Sequence, residues 1–235
     1  MQSRSTVERD VAVVQRIEAV PRILSAVTEI TGMRFAAVAR VTETRWTACS
    51  VRDELDFGLA PGGDLELEMT ICNEIRQHRE PVIFGEASTH PVYSTHHTPR
   101  HYGLQSYAAV PIHRANGDFF GTLCAIDSRS VPLDAPALLK SLELFADLIG
   151  TQLEMIEDLE RARSHLHEAR SRERVLATAE REIRDLLQPV VTTLYLLQGS
   201  ASLSAADRRL VEDMDASCKE VTQVLRDRLD AALTG

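Results

Sequence analysis

Apolar residues near the start of the chain recur at helical spacing. The segment AVVQRIEAVPRILSAVTEI over 12–30 carries them in steps of three and four, with Pro21 as an interruption and Gly32 placed to stop the helix. The period then changes. MRFAAVARV over 33–41 is an apolar run rich in strand formers, and RWTACSVRD over 45–53 alternates as a strand with one wet face does. Pro61, Gly62 and Gly63 mark a loop before a short helix around Leu67 to His78, and Pro81 to Phe84 is a short strand. A polar stretch from Gly85 to Tyr102 holds His90, His96, His97 and His101. SYAAVPIHR and FFGTLCAID follow as two strands joined by Ala115-Asn116-Gly117-Asp118, a hairpin signal because Asn-Gly accepts positive φ readily. Residues 134–160 return to a helical period. This order predicts an α+β fold in which an antiparallel sheet carries helices on one side.

From Phe145 a second stripe runs through Leu148, Gln152, Met155, Leu159, Ala162 and Leu166 in alternating steps of three and four, the coiled-coil period. It weakens across Ala169 and Glu173 and resumes at Leu176, Ile183, Leu187, Val190, Leu194 and Leu197. One long helix accounts for both stretches. Gly199-Ser200-Ala201-Ser202 should break it, and Ser204 ahead of Ala205, Ala206 and Asp207 should cap a last helix running to about Leu233. Two helices joined by a short turn cannot bury their apolar faces alone, so pairing of two chains into a four-helix bundle is expected.

Composition narrows the function classes. The chain has 235 residues, 44% hydrophobic and 26% charged, with a formal net charge of −9. That balance argues against non-specific nucleic-acid binding, which needs clustered Lys and Arg without compensating acids. The arginines between Arg161 and Arg184 are interleaved with Glu and read as a solvated helix face. No apolar run approaches the roughly 20 residues of a membrane span, and MQSRSTVERD lacks the apolar core of a signal peptide, so a cytoplasmic protein is expected. Cys49, Cys72, Cys124 and Cys218 are far apart, with no CxxC pair, and predict neither a disulfide framework nor a zinc site.

Several ordered segments carry a family resemblance. TGMRFAAVARV, the strand from Trp46 to Asp53, DFGLAPGGDLELEMTICNEI, YGLQSYAAVPI, NGDFFGTLCAID and LELFADLIGTQLE resemble the GAF domain of bacterial two-component sensors, over about residues 10–158. The resemblance implies a GAF/PAS-like antiparallel sheet with flanking helices, a ligand pocket on one face under loops, and helices on the other face that often dimerise. Farther along, Arg184, Asp185, Leu186 and Pro189 occupy the places of the phosphoacceptor box of sensor histidine kinases, which reads roughly HELRTPL. Arg184 stands where the reactive histidine belongs. A guanidinium is protonated at every accessible pH and cannot attack the γ-phosphate of ATP as an imidazole nitrogen can.

The expected organisation is therefore a GAF sensor over 1–158, a signalling helix over 159–179, and a degenerate histidine-kinase-like dimerisation region over 180–235. The last region also reads as a plain dimerising coiled coil. The expected function is non-enzymatic: a homodimeric sensor that binds a small ligand or partner and signals through a bundle that cannot be phosphorylated. A histidine kinase or response regulator is the expected partner. The competing readings are a histidine-kinase fragment working in a phosphorelay and a redox or light receptor. His165 and His167 are candidate displaced phosphoacceptors, although the sequence after His167 lacks the leucine and proline of the box and falls in a charged helix. No glycine-rich phosphate loop is present for a nucleotide.

For the sensor, the resemblance places Trp46, Cys49, Phe57, Cys72, His97, Tyr102, Ser106 and Tyr107 around the pocket, where Trp46 and Tyr107 also read as ordinary core residues. Cys72 begins a helix, whose macrodipole favours a thiolate, and it also reads as a buried inert thiol. His97 and His101 have i, i+4 spacing, but a zinc site wants further ligands, so neither metal nor haem is expected. Covalent bilin is not expected either, because Ser94-Thr95-His96-His97 lacks the cysteine that cyanobacteriochromes place before the histidine. The cofactor and the ligand stay open.

Overall fold

The computed structural model describes residues 4–198 and 204–234, and the chain divides into two compact units, Met1–Glu160 and Arg161–Gly235. The first unit opens with two helices, α1 (Arg4–Gln15) and α2 (Ala19–Thr31), where one interrupted helix was expected. The break falls at residues 16–18 and not at Pro21. Pro21 is the third residue of α2, within the first turn, where a missing N–H removes no helical hydrogen bond. Gly32 ends α2 in the left-handed region at φ +70°, and its N–H donates to the Thr28 carbonyl at 2.9 Å.

The strands are β1 (Phe35–Val41), β2 (Trp46–Asp53), β3 (Asp64–Leu65), β4 (Val82–Phe84), β5 (Ser106–His113) and β6 (Phe119–Asp127). They form one sheet in the order β3-β2-β1-β6-β5-β4, with every neighbouring pair antiparallel. Between β3 and β4 lie a 3₁₀ turn at Leu67–Met69 and helix α3 (Ile71–His78). Between β4 and β5 lie a 3₁₀ turn at Ala87–Thr89 and helix α4 (His97–Tyr102), both within the stretch expected to be an irregular polar loop.

Every residue of central strand β1 is buried, because both faces of the sheet are covered. On one face, Val14 of α1, Ile17 of the break, and Leu24 and Val27 of α2 meet Ala36, Val38, Val110, Ile112 and Leu123. The same face receives the start of α5 (Ala135–Gln198) through Leu138, Leu142, Ala146, Ile149 and Leu153. The backbone of α5 comes very close to β5 at Gly150, where a Cβ would stand 2.1 Å from the His113 carbonyl oxygen. Charges fasten the ends of these helices. Buried Arg40 donates to Asp10 at 2.6 Å, Arg114 pairs with Glu157, and Arg9 meets Glu160 at 3.1 Å.

Two apolar stripes thus share the start of α5. The inner one is buried on the sheet, while Leu148, Met155, Leu159 and Leu166 of the coiled-coil stripe are exposed, from 41% to 61%. In the second unit α5 continues through Pro189, and α6 (Ala205–Thr234) follows. Ser204 caps α6 as expected: its Oγ accepts from the Asp207 N–H at 3.2 Å and donates to the Asp207 carboxylate at 2.6 Å. The expected break at Gly199 to Ser202 lies outside the described residues. Leu194 and Val211 are buried in this unit, whereas Val190 and Leu197, read as part of the same stripe, are 39% exposed. No helix among the described residues is long and apolar enough to cross a membrane.

Candidate functional site

The second face of the sheet is closed by α3, α4 and the loop after β2, and these enclose a cavity. Phe35 of β1, Trp46 of β2, Tyr107 of β5, and Cys124 and Ile126 of β6 form its floor. Ile71 and Cys72 of α3, Thr98 and Tyr102 of α4, and Phe57, Leu59 and Leu65 form its walls. The exposed lining is apolar, and the space open to the centres of water-sized molecules is about 40 Å³, room for on the order of three waters.

Strand alternation decides which side chains reach this cavity, and two bulges modify it. In the β1–β2 ladder Val38 faces Ser50 and Ala39 faces Ala48, so Cys49 is the extra residue. Trp46 and Ala48 face the cavity, while Cys49 packs among the helices on the other face. In the β5–β6 ladder Phe120 is skipped between the Ile112–Gly121 and His113–Phe119 pairs, and it too packs against the helices. The loop carrying Phe57 is held by Asp53, whose carboxylate accepts from the N–H groups of Leu55, Phe57 and Gly58 at 2.9 to 3.2 Å. Burial pushes this carboxyl up, but the backbone N–H groups outweigh it and hold Asp53 below the usual range.

Five of the eight residues assigned to the pocket, Trp46, Phe57, Cys72, Tyr102 and Tyr107, meet at this cavity. Three do not. Cys49, an odd number of residues from Trp46, faces the helices by plain alternation, and burial pushes its thiol up to about 12. Ser106 has the parity of Ala108 and points to the helix face, where its hydroxyl donates to the carbonyls of Gly85 and Arg129 and accepts from the Val131 N–H. His97 is exposed on α4, with Nε2 at 2.8 Å from the Glu68 carbonyl oxygen, so it ties α4 to the segment before α3. The other loop histidines are also spent locally. His90 Nδ1 accepts from the N–H groups of Val92 and Tyr93. His96 Nδ1 accepts from the Thr98 N–H, which leaves Nε2–H to donate to Glu74. Among the described residues no three His, Cys, Asp or Glu side chains are placed to hold a metal.

Sequence reading missed Thr98, Thr122 and Cys124. The last two were within reach: pairing outward from the Asn116-Gly117 turn puts Ala109 opposite Cys124 and Tyr107 opposite Ile126, so Thr122, Cys124 and Ile126 share the face of Tyr107. The chemistry of the site gathers there. Cys72 Sγ lies 3.2 Å from the Tyr107 hydroxyl and 3.2 Å from the Thr122 Oγ1, which donates to it. The Cys124 thiol donates to the Ala37 carbonyl at 3.6 Å. Cys124 beside it draws the Cys72 thiol down, burial opposes this, and the Thr122 and Tyr107 hydroxyls add to the lowering. Burial, with the neighbouring cysteines, pushes the Tyr107 hydroxyl well above its ordinary value. Two buried polar atoms on the cavity residues, Trp46 Nε1 and Thr98 Oγ1, have no hydrogen-bond partner.

The model of the GAF domain matches residues 15–153, well over half of the chain. The chain belongs to the GAF family. Among solved structures, the fold is similar to the blue-light absorbing form of the PixJ GAF domain of Thermosynechococcus elongatus, which is 14% identical with a TM-score of 0.52, over 72% of this chain and 98% of that one. It is also similar to the GAF-B domain of DevS from Mycobacterium smegmatis, 15% identical with a TM-score of 0.47, over 65% of this chain and 98% of that one. The GAF domain of a two-component sensor histidine kinase from Bacillus halodurans is 13% identical with a TM-score of 0.47, over 61% of this chain and 96% of that one. At such identities the likeness is one of fold. No curated protein matches the chain. The cavity described above therefore lies within a GAF domain, a sensor-type fold.

Arg184, Asp185, Leu186 and Pro189, which the sequence reading aligned with a phosphoacceptor box, lie on α5 in the second unit. Arg184 is exposed and pairs with Glu180 one turn earlier, Asp185 and Pro189 are exposed, and Leu186 is 74% exposed. A groove between α5 and α6 runs beside Arg184 and is lined by Ile183, Leu187, Val191, Cys218 and Thr222.

Proposed function

We propose that this protein is a non-enzymatic, cytoplasmic signal-transducing sensor that works as a homodimer. Its GAF cavity takes a small ligand, and occupancy is passed along α5 to a histidine-kinase-like helical bundle that cannot be phosphorylated. The observation that carries the proposal is the cavity itself: an apolar space in a sensor-type fold whose lining residues hold two buried, unpartnered polar atoms, at Trp46 and Thr98. A ligand with hydrogen-bonding atoms would relieve both.

The output half is supported by what the helical unit leaves uncovered. Leu186, Val190 and Leu197 of α5, and Leu210, Met214, Val221 and Val224 of α6, are exposed and recur mostly in steps of three and four. A hairpin with a second apolar seam is what a four-helix bundle of two chains requires. Arg184 in the phosphoacceptor place supports an output through pairing with a histidine kinase or response regulator instead of phosphoryl transfer. The test is incubation of the purified chain with γ-labelled ATP, alone and with a candidate partner kinase, beside a native mass spectrum. A dimer without label is expected. Acid-labile label on His165 or His167 would favour the phosphorelay enzyme, and a monomer would remove the bundle.

A further inference from the structure

We infer that Cys72 and Cys124 form a redox pair on the cavity, in which a hydroperoxide small enough to enter is reduced and the two cysteines close into a disulfide. The placement of the two sulfurs carries this. Both cysteines line the same small cavity, both are 4% exposed although 52 residues separate them in the chain, and Cys72 Sγ lies 3.2 Å from the hydroxyl of Thr122, the same-face neighbour of Cys124 on β6. A disulfide requires the two sulfurs to close to about 2.05 Å with the Cα atoms about 4.4–6.8 Å apart.

The surroundings suit Cys72 to be the attacking sulfur. It stands in the first turn of α3, with the Thr122 and Tyr107 hydroxyls at 3.2 Å. Hydrogen bonds directed at one sulfur stabilise its thiolate, which is the nucleophilic form. The same reasoning marks Cys49 as inert, because it is enclosed among the helices on the opposite face, where its thiol meets the Thr47 carbonyl at 3.9 Å. The cavity sets the class of oxidant. A space for on the order of three waters with an apolar lining admits a small neutral molecule and disfavours a charged one. Trp46 Nε1 and Thr98 Oγ1, buried and without partners, are polar groups that a peroxide oxygen can engage.

The steps balance. The Cys72 thiolate attacks one peroxide oxygen; an S–O bond forms, the O–O bond breaks, and the leaving oxygen departs as alcohol or water with the proton that Cys72 released. Sulfur is oxidised by two electrons to the sulfenic acid. The Cys124 sulfur then attacks Cys72; the S–S bond forms, the S–O bond breaks, and hydroxide leaves as water with the Cys124 proton. Two thiols and one hydroperoxide give one disulfide, one alcohol or water, and one further water.

The chemistry deepens the sensor reading of the same cavity, and its consequence for signalling rests on that reading. The test treats the reduced full chain with less than one equivalent of hydrogen peroxide, blocks remaining thiols with N-ethylmaleimide, and maps the peptides. A Cys72–Cys124 disulfide reversible by dithiothreitol is expected, forming at least about tenfold faster than oxidation of the partly exposed Cys218, with Cys49 still a thiol. In Cys124→Ser, dimedone should trap Cys72 as the sulfenic acid. Preferential oxidation of Cys218, or Cys72 and Cys124 both recovered as thiols, would overturn the inference; the mapping of the unsubstituted chain does not depend on any variant folding. Hydrogen exchange along residues 161–198 separates the two readings. A disulfide that leaves this exchange unchanged upholds the thiol chemistry and sinks the transmission of the signal.

Discussion

The two faces of the sheet bury similar residue types to opposite ends. The helix face is covered by α1, α2 and the start of α5, and its buried Asp127 and Ser106 are well paired, although Arg52 Nε on this face has no hydrogen-bond partner. Asp127, fully buried, accepts from Arg34 Nε at 2.9 Å, Arg34 Nη2 at 2.7 Å and the Arg129 N–H at 2.9 Å, and Ser106 uses its hydroxyl three times. The other face is closed by short helices and loops, keeps a cavity, and holds two buried polar atoms without partners. Each face carries cysteine. Burial alone makes the Cys49 thiol inert, whereas donors converge on Cys72 and overcome a comparable burial. Burial does not by itself decide what a residue does; the partners that burial brings with it decide.

The largest expected effect comes from opening a void on the helix face. Ile149 is fully buried between α5 and the sheet, so Ile149→Ala should destabilise the GAF domain by about 3–4 kcal/mol, within the range for such truncations in enclosed sites. Leu59→Ala on the cavity wall removes a half-buried side chain beside an existing space and should cost about 1 kcal/mol. Urea unfolding of the full chain followed by fluorescence of Trp46, the only tryptophan, reports on this unit specifically. Equal losses for the two variants would mean that the cavity face is packed as tightly as the helix face.

A second effect sharpens the contrast between paired and unpaired polar groups. Asp127→Asn keeps the shape but removes the charge that Arg34 pairs with, and should cost roughly 1.5–3 kcal/mol, the scale of hydrogen bonds to charged groups, with Arg34 partly open to solvent. Burial pushes the Asp127 carboxyl up, but Arg34 and the Arg129 N–H outweigh it and hold it well below the usual range. Because the folded value lies below the unfolded one of about 3.9, the stabilisation is fully present above that pH and is lost as pH falls toward the folded value. The urea midpoints of the parent and Asp127→Asn should therefore differ most at neutral pH and converge as the pH is lowered below about 4. A difference that persists unchanged in acid would assign the loss to packing and not to the ion pair.

Much of the sheet was legible because its signals are local. The Asn116-Gly117 turn, the left-handed stop at Gly32 and the Ser204 cap each rest on a few adjacent residues, and each is found where its chemistry requires. The first helix pair and the polar segment after Gly85 were less legible. Helix α4 has six residues and is fixed by contacts from far away, such as His97 to the Glu68 carbonyl and His96 to Glu74, and no periodic pattern records those. The site was legible only as far as strand parity holds. Trp46 and Tyr107 follow simple alternation, which three steps on from Trp46 also puts Cys49 on the helix face; the bulge there changes the parity only of the residues after it and leaves no mark in residue type. Ser106 was misplaced by one step of alternation, while Cys124 went unassigned until the β5–β6 register was fixed. The stripe on α5 illustrates a different obstacle: two apolar seams overlap on one helix, and periodicity alone does not say which of them the sheet takes.

The smallest expected change in stability tests what the unpartnered groups are for. Thr98 is 3% exposed, its backbone N–H is held by His96 Nδ1, and its Oγ1 has no partner. Thr98→Val keeps the shape and the backbone bond and removes only the buried hydroxyl. Leaving such a group unsatisfied is costly, so the variant should be as stable as the parent or gain up to about 1 kcal/mol. If the hydroxyl is retained for a ligand, the same change should act in the opposite direction on the cavity. Oxidation of Cys72 by hydrogen peroxide should then slow, because one of the polar groups available to the oxidant is gone. A gain in stability with slower oxidation would show a polar group kept for a ligand at the cost of stability. A loss of stability would mean that Oγ1 is satisfied in solution, and the face would then be no less complete than the one beneath the helices.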